Sequence, residues 1–556
     1  MIPTDAVTSE VARGLHANEP AGETPFSLAL GALLVLAAWL AWRPIEVFPW
    51  SAVLTAAVIL ALTVWGWQRT PFASGRIVVW TIVAIGVLVA SGMAGQDPSA
   101  AISGASLVAA VAVLIWLASR ETPPGYVPAV FALAISGLSI WGALQLTAGP
   151  VHAQEILLQL PEPLRAAGAE RLAAGRAFAS QPLPSHLAVL LATALPLMLF
   201  RLRWRWGALP WFAGVVLCVF GLALTRSPIG VGLALVACAA LAVAGGGRST
   251  RLTVVVLALV MAIVVVARGD VLELEPVTLR LDNWRTAVWV WSTSPAAGVG
   301  FGGFGQVAQT VPFAVGNRPR FAHSLPLEWL AELGPMGFMA ILVGGLVLWR
   351  LVRDLWPHRP DLAVAIAVVP VHNLVDFSMH GSGVALPWAV LTGWVVAFRS
   401  ATPAPETGSP GRPAVVAAAA LALAATILYA TSAMVLETAG QQAQPEERYA
   451  GALEARRLAP WRADPLDMIA VAALETGNLE VMAEASAELE QGRWLRPYSA
   501  SLADLRSHLA QARGHAPSAV VEAWTAERSH PEDPVYSQRL VQLFRQLQDD
   551  GIGEDR

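Results

Sequence analysis

The chain has 556 residues, of which 55% are hydrophobic and 14% charged, with a formal charge of −4 at pH 7. Soluble domains carry about 25% charged residues, so a wholly soluble protein is excluded and no nucleic-acid partner is expected. The 36 basic side chains are all arginine, with no lysine, and arginine stays charged and grips phosphate oxygens in pairs.

In chain order, residues 1–25 are polar and lack the charged start and small-residue cleavage site of a signal peptide. Apolar runs of membrane-crossing length then recur. The expected fold is all-α: a polytopic membrane protein of thirteen helical spans with a C-terminal soluble helical-repeat domain. The spans fall near 26–44, 49–68, 76–95, 100–119, 126–147, 185–200, 207–225, 228–245, 251–267, 325–350, 361–377, 383–398 and 413–436. Arginine sets the orientation. The loops "QRTPFASGR", "SRETPP", "RLRWRWG", "GGGRSTR", "WRLVRDLWPHRPD" and "FRSATPAPETGSPGRP", the last including the linker 401–412, carry arginines, whereas "GQDPSA" carries none. Positive loops stay cytoplasmic, so the N-terminal tail is expected inside. The loop 148–184, the loop 268–322 and the tail 437–556 are then expected outside. Cys218 and Cys238 lie in apolar runs and read as small hydrophobes.

The tail has apolar residues at three- and four-residue spacing, as in "LEVMAEASAELEQGRWL". Pro460, Pro497 and Pro531 punctuate it at a period near 34, which suggests tetratricopeptide-like units. Such arrays serve as docking surfaces.

The outer segments hold the chemistry-bearing residues. Arg226 ends the span "LALTRSPIG". The stretch "RLDNWRTAVWVWSTSPAAGVGFGGFGQ" carries Arg280, Trp284 and Arg285, breaks at Pro295, and continues into a glycine run. Its first half fits an amphipathic interfacial helix, and its glycines permit a tight turn or a close backbone approach. Without a preceding strand or a lysine it is no nucleotide loop. His323 opens "HSLPLEWLAELGPMG".

The order of these elements resembles the O-antigen ligase family over residues 170–400. Arg280 and Trp284 match its Arg–x–x–x–Trp element, and His323, Ser324, Glu332, Leu333 and Gly334 its His–Asn/Ser–x–x–Leu…Glu–Leu–Gly element. The stretch "GRAFASQPLPSHLAVLLATALPL" is similar to a Gly–Arg–x–Phe segment, with Ser185–His186 in place of Pro–Asn. "VHNLVDFSMH" is similar to a segment around Asp376. The resemblance implies a core over 185–400 and a bacterial inner-membrane glycosyltransferase of the C type. Such an enzyme moves a glycan from an undecaprenyl-diphosphate carrier to an acceptor hydroxyl, with no metal and no cofactor. The acceptor is lipid A–core for a ligase, or another carrier-linked glycan for a polymerase. Membrane lipids and, through the tail, polysaccharide-assembly proteins are the further partners expected.

The implied roles follow the chemistry. Arg226 and Arg280 are candidates to neutralise the diphosphate leaving group, with Arg285 and Arg176 as further substrate contacts or lipid-headgroup contacts. His323 is the candidate base, because imidazole exchanges protons near neutral pH. Asp376 reads as a substrate-site group or an arginine's structural partner, and Glu332 as an orienting group or a helix cap. Trp284 is a candidate substrate-binding residue that reads first as an interface anchor and second as a surface for a sugar to stack on. His186, His372 and His380 read as polar caps of spans. Three alternatives remain: transfer to a protein hydroxyl, secondary transport of a small anion, and a scaffold whose tail recruits partners while the membrane portion is inert. Transport predicts two related halves with broken helices at matching positions, and none is found.

Overall fold

The computed structural model describes residues 75–95, 97–119, 126–147, 162–202, 208–244, 275–311, 319–399, 438–496, 499–530 and 533–549, with isolated positions in 251–262 and 428–436. The expected N-terminal tail, the spans near 26–44 and 49–68, the linker 401–412, and most of the spans 251–267 and 413–436 lie outside the described residues.

The described residues form helices and no strand. The first are α1 (Gly75–Met93), α2 (Pro98–Ala118), α3 (Val127–Ser136), α4 (Leu138–Thr147), α5 (Glu162–Ala173), α6 (Pro184–Arg201), α7 (Ala208–Thr225) and α8 (Pro228–Val243). Then come α9 (Glu275–Thr293), α10 (Phe304–Val307), α11 (Leu325–Leu355), α12 (Pro360–His372) and α13 (Ser382–Arg399). Among the described residues four helices are long and apolar enough to cross a membrane: Val127–Thr147, which joins α3 and α4, then α6, α7 and α11. These long apolar helices indicate membrane association. Helices α8 and α12 lie at predicted spans but are shorter, as is the apolar stretch Ser382–Phe398 of α13.

Local sequence explains the helix starts. Asp97 caps α2 by accepting the Ala100 N–H at 2.9 Å, and Ser227 caps α8 by accepting from Gly230 at 3.3 Å. Proline occupies the first turn of both, where its missing N–H costs nothing.

Helix α6 is the hub. Its residues from Pro184 to Leu199 are buried, and it packs on α3, α7, α8 and α12. Small residues allow the close approach: a Cβ on Gly230 would meet that of Ala188 at 2.3 Å. Helix α11 is the opposite case. Gly334 (φ 64°, ψ −155°) and Pro335 break it. Before the break Glu328, Ala331 and Glu332 are buried. After it Met336, Met339, Leu342 and Trp349 are exposed, as suits a face that meets lipid.

The C-terminal helices are α14 (Pro445–Leu458), α15 (Asp464–Thr476), α16 (Leu479–Gln491), α17 (Ala500–Ala512), α18 (Ala516–Ser529) and α19 (Pro534–Asp549). Consecutive helices pack in pairs, α14 on α15 and α17 on α18 most extensively. They touch the rest of the fold at named points. His530 Nε2 lies 2.8 Å from Gln309 Oε1, and the Arg496 charge acts on Asp97 at the α1–α2 turn. Burial, opposed by Arg496, raises Asp97 above the ordinary carboxylate range.

Candidate active site around Asp376

Asp376 follows α12 in a short turn before the 3-10 segment Ser378–His380, and its side chain is about 1% exposed. A buried carboxylate demands partners. The Phe377 N–H reaches Oδ1 at 2.8 Å. Arg280, from α9, places Nη2 3.5 Å from Oδ2 and donates through Nε to the Val375 carbonyl at 3.2 Å. His323 Nδ1 stands 4.0 Å from Oδ1, and His372 Nε2 3.7 Å from Oδ2. Burial alone raises the Asp376 carboxyl, but the histidines 372, 186 and 323 and the Phe377 N–H outweigh it and hold the group below the ordinary range.

His323 sits in the turn before α11 at φ 53°, a left-handed conformation rare outside glycine. Three contacts hold that turn. The Trp284 indole donates to the His323 carbonyl at 3.2 Å. Glu328 accepts the Ala322 N–H at 2.8 Å. The imidazole meets the Phe377 ring edge to face at 4.5 Å. Burial lowers the His323 pKa below the ordinary value, and the pull of Asp376 only partly restores it. The ring is therefore neutral at pH 7, with Nδ1 toward Asp376 and Nε2 as the nitrogen to accept a proton.

Phe377 is the aromatic centre. Phe321 stacks on it at 4.5 Å, and His186 of α6 meets it at 5.3 Å. Both His186 ring nitrogens are buried without a hydrogen-bond partner. His380 pairs with Glu328 at 2.7 Å. Burial opposes its charge, but Glu328 overrides this and the pKa is raised to about 9.

The structure therefore gathers Arg280, His323, Asp376 and Trp284 from three stretches of chain. It also brings in His186, His372 and His380, which the sequence reads as span caps. The signal for His372 was its four-residue spacing from Asp376. Glu328 carried none, since its partner lies 52 residues on in the chain.

Arg226 and Arg176 make a second group. Arg226 stands at φ 47° between α7 and α8 and donates to the Ala174 carbonyl at 2.5 Å. Arg176 Nε lies 3.5 Å from the Thr225 carbonyl. Gly175, at φ 64°, lets the guanidinium through: a Cβ there would sit 3.0 Å from Arg226 Nη2. Arg171 feels the Arg176 charge, so three guanidiniums share this segment. Helix α6 joins the two groups, touching Phe377 at its first turn and packing on α7 and α8.

Arg285 points elsewhere. It is exposed and pairs with Asp282 at 3.6 Å, beside Trp284 and Trp289 in an open groove of about 740 Å³. Glu332 also stands apart from Asp376. Its carboxylate accepts the Phe304 and Gly302 N–H groups. Its carbonyl accepts from Gly300, and that of Ala331 accepts from Val299. The glycine run thus wraps the break in α11.

No family model and no curated protein matches the chain.

Proposed function

We propose that the protein is a membrane glycosyltransferase of the O-antigen ligase and polymerase type. It transfers a glycan from an undecaprenyl-diphosphate carrier to an acceptor hydroxyl at the outer face of a bacterial inner membrane. The observation that carries the reading is the convergence of Arg280 and His323 on the buried carboxylate of Asp376. Backbone strain supports it. Among the described residues the non-glycine positions with positive φ are Ala179, Arg226 and His323, and strain of this kind gathers at functional sites.

In this reading the acceptor oxygen attacks the anomeric carbon as its proton passes to His323 Nε2. The bond from that carbon to the diphosphate oxygen breaks, and its electron pair leaves with the carrier. Arg280 and Arg226 offset the growing negative charge without reorganising. Asp376 orients the imidazole and stabilises its charge once protonated.

The test is transfer in reconstituted membranes from undecaprenyl-diphosphate-linked glycan. Lipid A–core and a second carrier-linked glycan are offered in separate reactions. Product on either, lost in His323→Ala and Arg280→Ala at matched folding, supports the reading. Full activity in both variants refutes the site.

A further inference from the structure

The stretch from His372 to His380 is wired to itself. Asn373 Nδ2 donates to the Val369 carbonyl at 2.8 Å and to Ser378 Oγ at 2.9 Å, and Asn373 Oδ1 accepts the Met379 N–H at 3.0 Å. This spends both amide hydrogens and fixes which end of the side chain is which. Ser378 Oγ also lies 3.0 Å from His372 Nδ1. Ser378, Asn373 and His372 are all buried.

The hydroxyl accepts from Asn373 and has one hydrogen to give. In a buried setting that hydrogen needs an acceptor, and His372 Nδ1 is at hand. The ring hydrogen of His372 then resides on Nε2. That nitrogen is buried, has no hydrogen-bond partner, and faces Asp376 Oδ2 at 3.7 Å. The separation is long, as such contacts commonly are before substrate arrives.

We propose that His372 is a positioning residue whose Nε2–H holds Asp376 Oδ2, so that Oδ1 is presented to His323. The order runs Asn373, Ser378, His372, Asp376, His323. The carboxylate is also approached by Arg280 from α9, whose Nη2 lies 3.5 Å from Oδ2. The proposal rests on the functional reading above only in taking His323 as the base.

The first experiment needs no activity. The full chain is labelled with 15N-histidine, reconstituted in lipid, and examined by solid-state NMR. The His372 signals are identified by their loss in His372→Gln. The expected result is hydrogen on Nε2, an Nε2 signal displaced by Asp376→Asn, and spread of the hydrogen to Nδ1 in Ser378→Ala. Hydrogen on Nδ1 in the unmodified chain overturns the proposal, as does an Nε2 signal indifferent to Asp376→Asn.

The second experiment is the transfer assay. Glutamine puts an amide N–H near the Nε2 position, and asparagine puts one near Nδ1. His372→Asn and His372→Ala are expected to lose roughly tenfold to a hundredfold in kcat with KM little changed, while His372→Gln keeps most of it. Equal loss in Gln and Asn variants means packing alone and overturns the proposal. If the unmodified protein transfers nothing, the functional reading falls while the NMR result still decides the role of His372.

Discussion

The Trp284 indole donates to the His323 carbonyl at 3.2 Å, so a residue of α9 fixes the backbone of a turn 39 positions away. The tryptophan thereby holds the strained conformation that aims the imidazole. Trp284→Phe keeps the ring and removes the hydrogen bond. About 1 kcal/mol of positioning is then lost, and kcat is expected to fall roughly fivefold with KM unchanged. Steady-state kinetics decide it: a rise in KM alone assigns Trp284 to substrate binding.

Arg280 uses two nitrogens of its guanidinium, Nε on the Val375 carbonyl and Nη2 toward Asp376. Lysine has a compact ammonium in place of the planar fork that serves both contacts in fixed geometry. Arg280→Lys is expected to reduce kcat about a hundredfold or more, near the loss in Arg280→Ala. Retention of most of the activity in the lysine variant shows that charge alone suffices.

Because burial lowers the His323 pKa, the acid limb of the rate profile is expected below the ordinary histidine value of 6.5. Below its pKa the ring is protonated and cannot accept the acceptor's proton. Asp376 pulls the value up, so Asp376→Asn is expected to move the limb lower still as it slows the reaction. A kcat profile against pH tests both signs.

The His380–Glu328 pair links pH to stability. The folded pKa of His380, about 9, lies above its ordinary 6.5. Its stabilisation is full below pH 6.5 and disappears as pH rises through 9. Thermal unfolding in detergent should show Tm falling over that window. Glu328→Gln should lower Tm at pH 6.5 and flatten the slope.

Gly298 has φ 71°, and a Cβ there would meet the Glu332 backbone at 2.3 Å. Gly298→Ala is expected to cost about 1–3 kcal/mol or more through strain and overlap. Lowered Tm, rather than a selective loss of donor binding, is the expected reading by thermal unfolding and donor titration. Selective loss restores the glycine run as a ligand cradle.

The helical class and the four long apolar helices were legible in the sequence because apolar run length and first-turn prolines are local properties. Arg280 and His323 were legible as motif residues, and Asp376 as an ionisable group near a span. Their meeting at one carboxylate was not, since Arg280 and Asp376 lie 96 positions apart and nothing local records the contact. The glycine run illustrates the same limit. Its permissive backbone fits a ligand or a neighbouring helix equally well, and only the tertiary contact with α11 chooses the helix. His186 and His380 looked like caps because each stands at an apolar boundary, the place where a buried cluster at a helix end must also stand.

The break at Gly334 divides α11 into two levers with different anchors. The first is clamped by the glycine run and carries the turn of His323. The second, about twenty residues from Met336 to Leu355, is about 30 Å long at 1.5 Å per residue, largely exposed from Met336 to Trp349 and buried at Leu351 and Leu355. Bilayers that differ in thickness tilt exposed helices. The far end of this second lever, at Leu351 and Leu355, is buried in the same core as α12, so a tilt of this segment bears directly on the helix that carries His372.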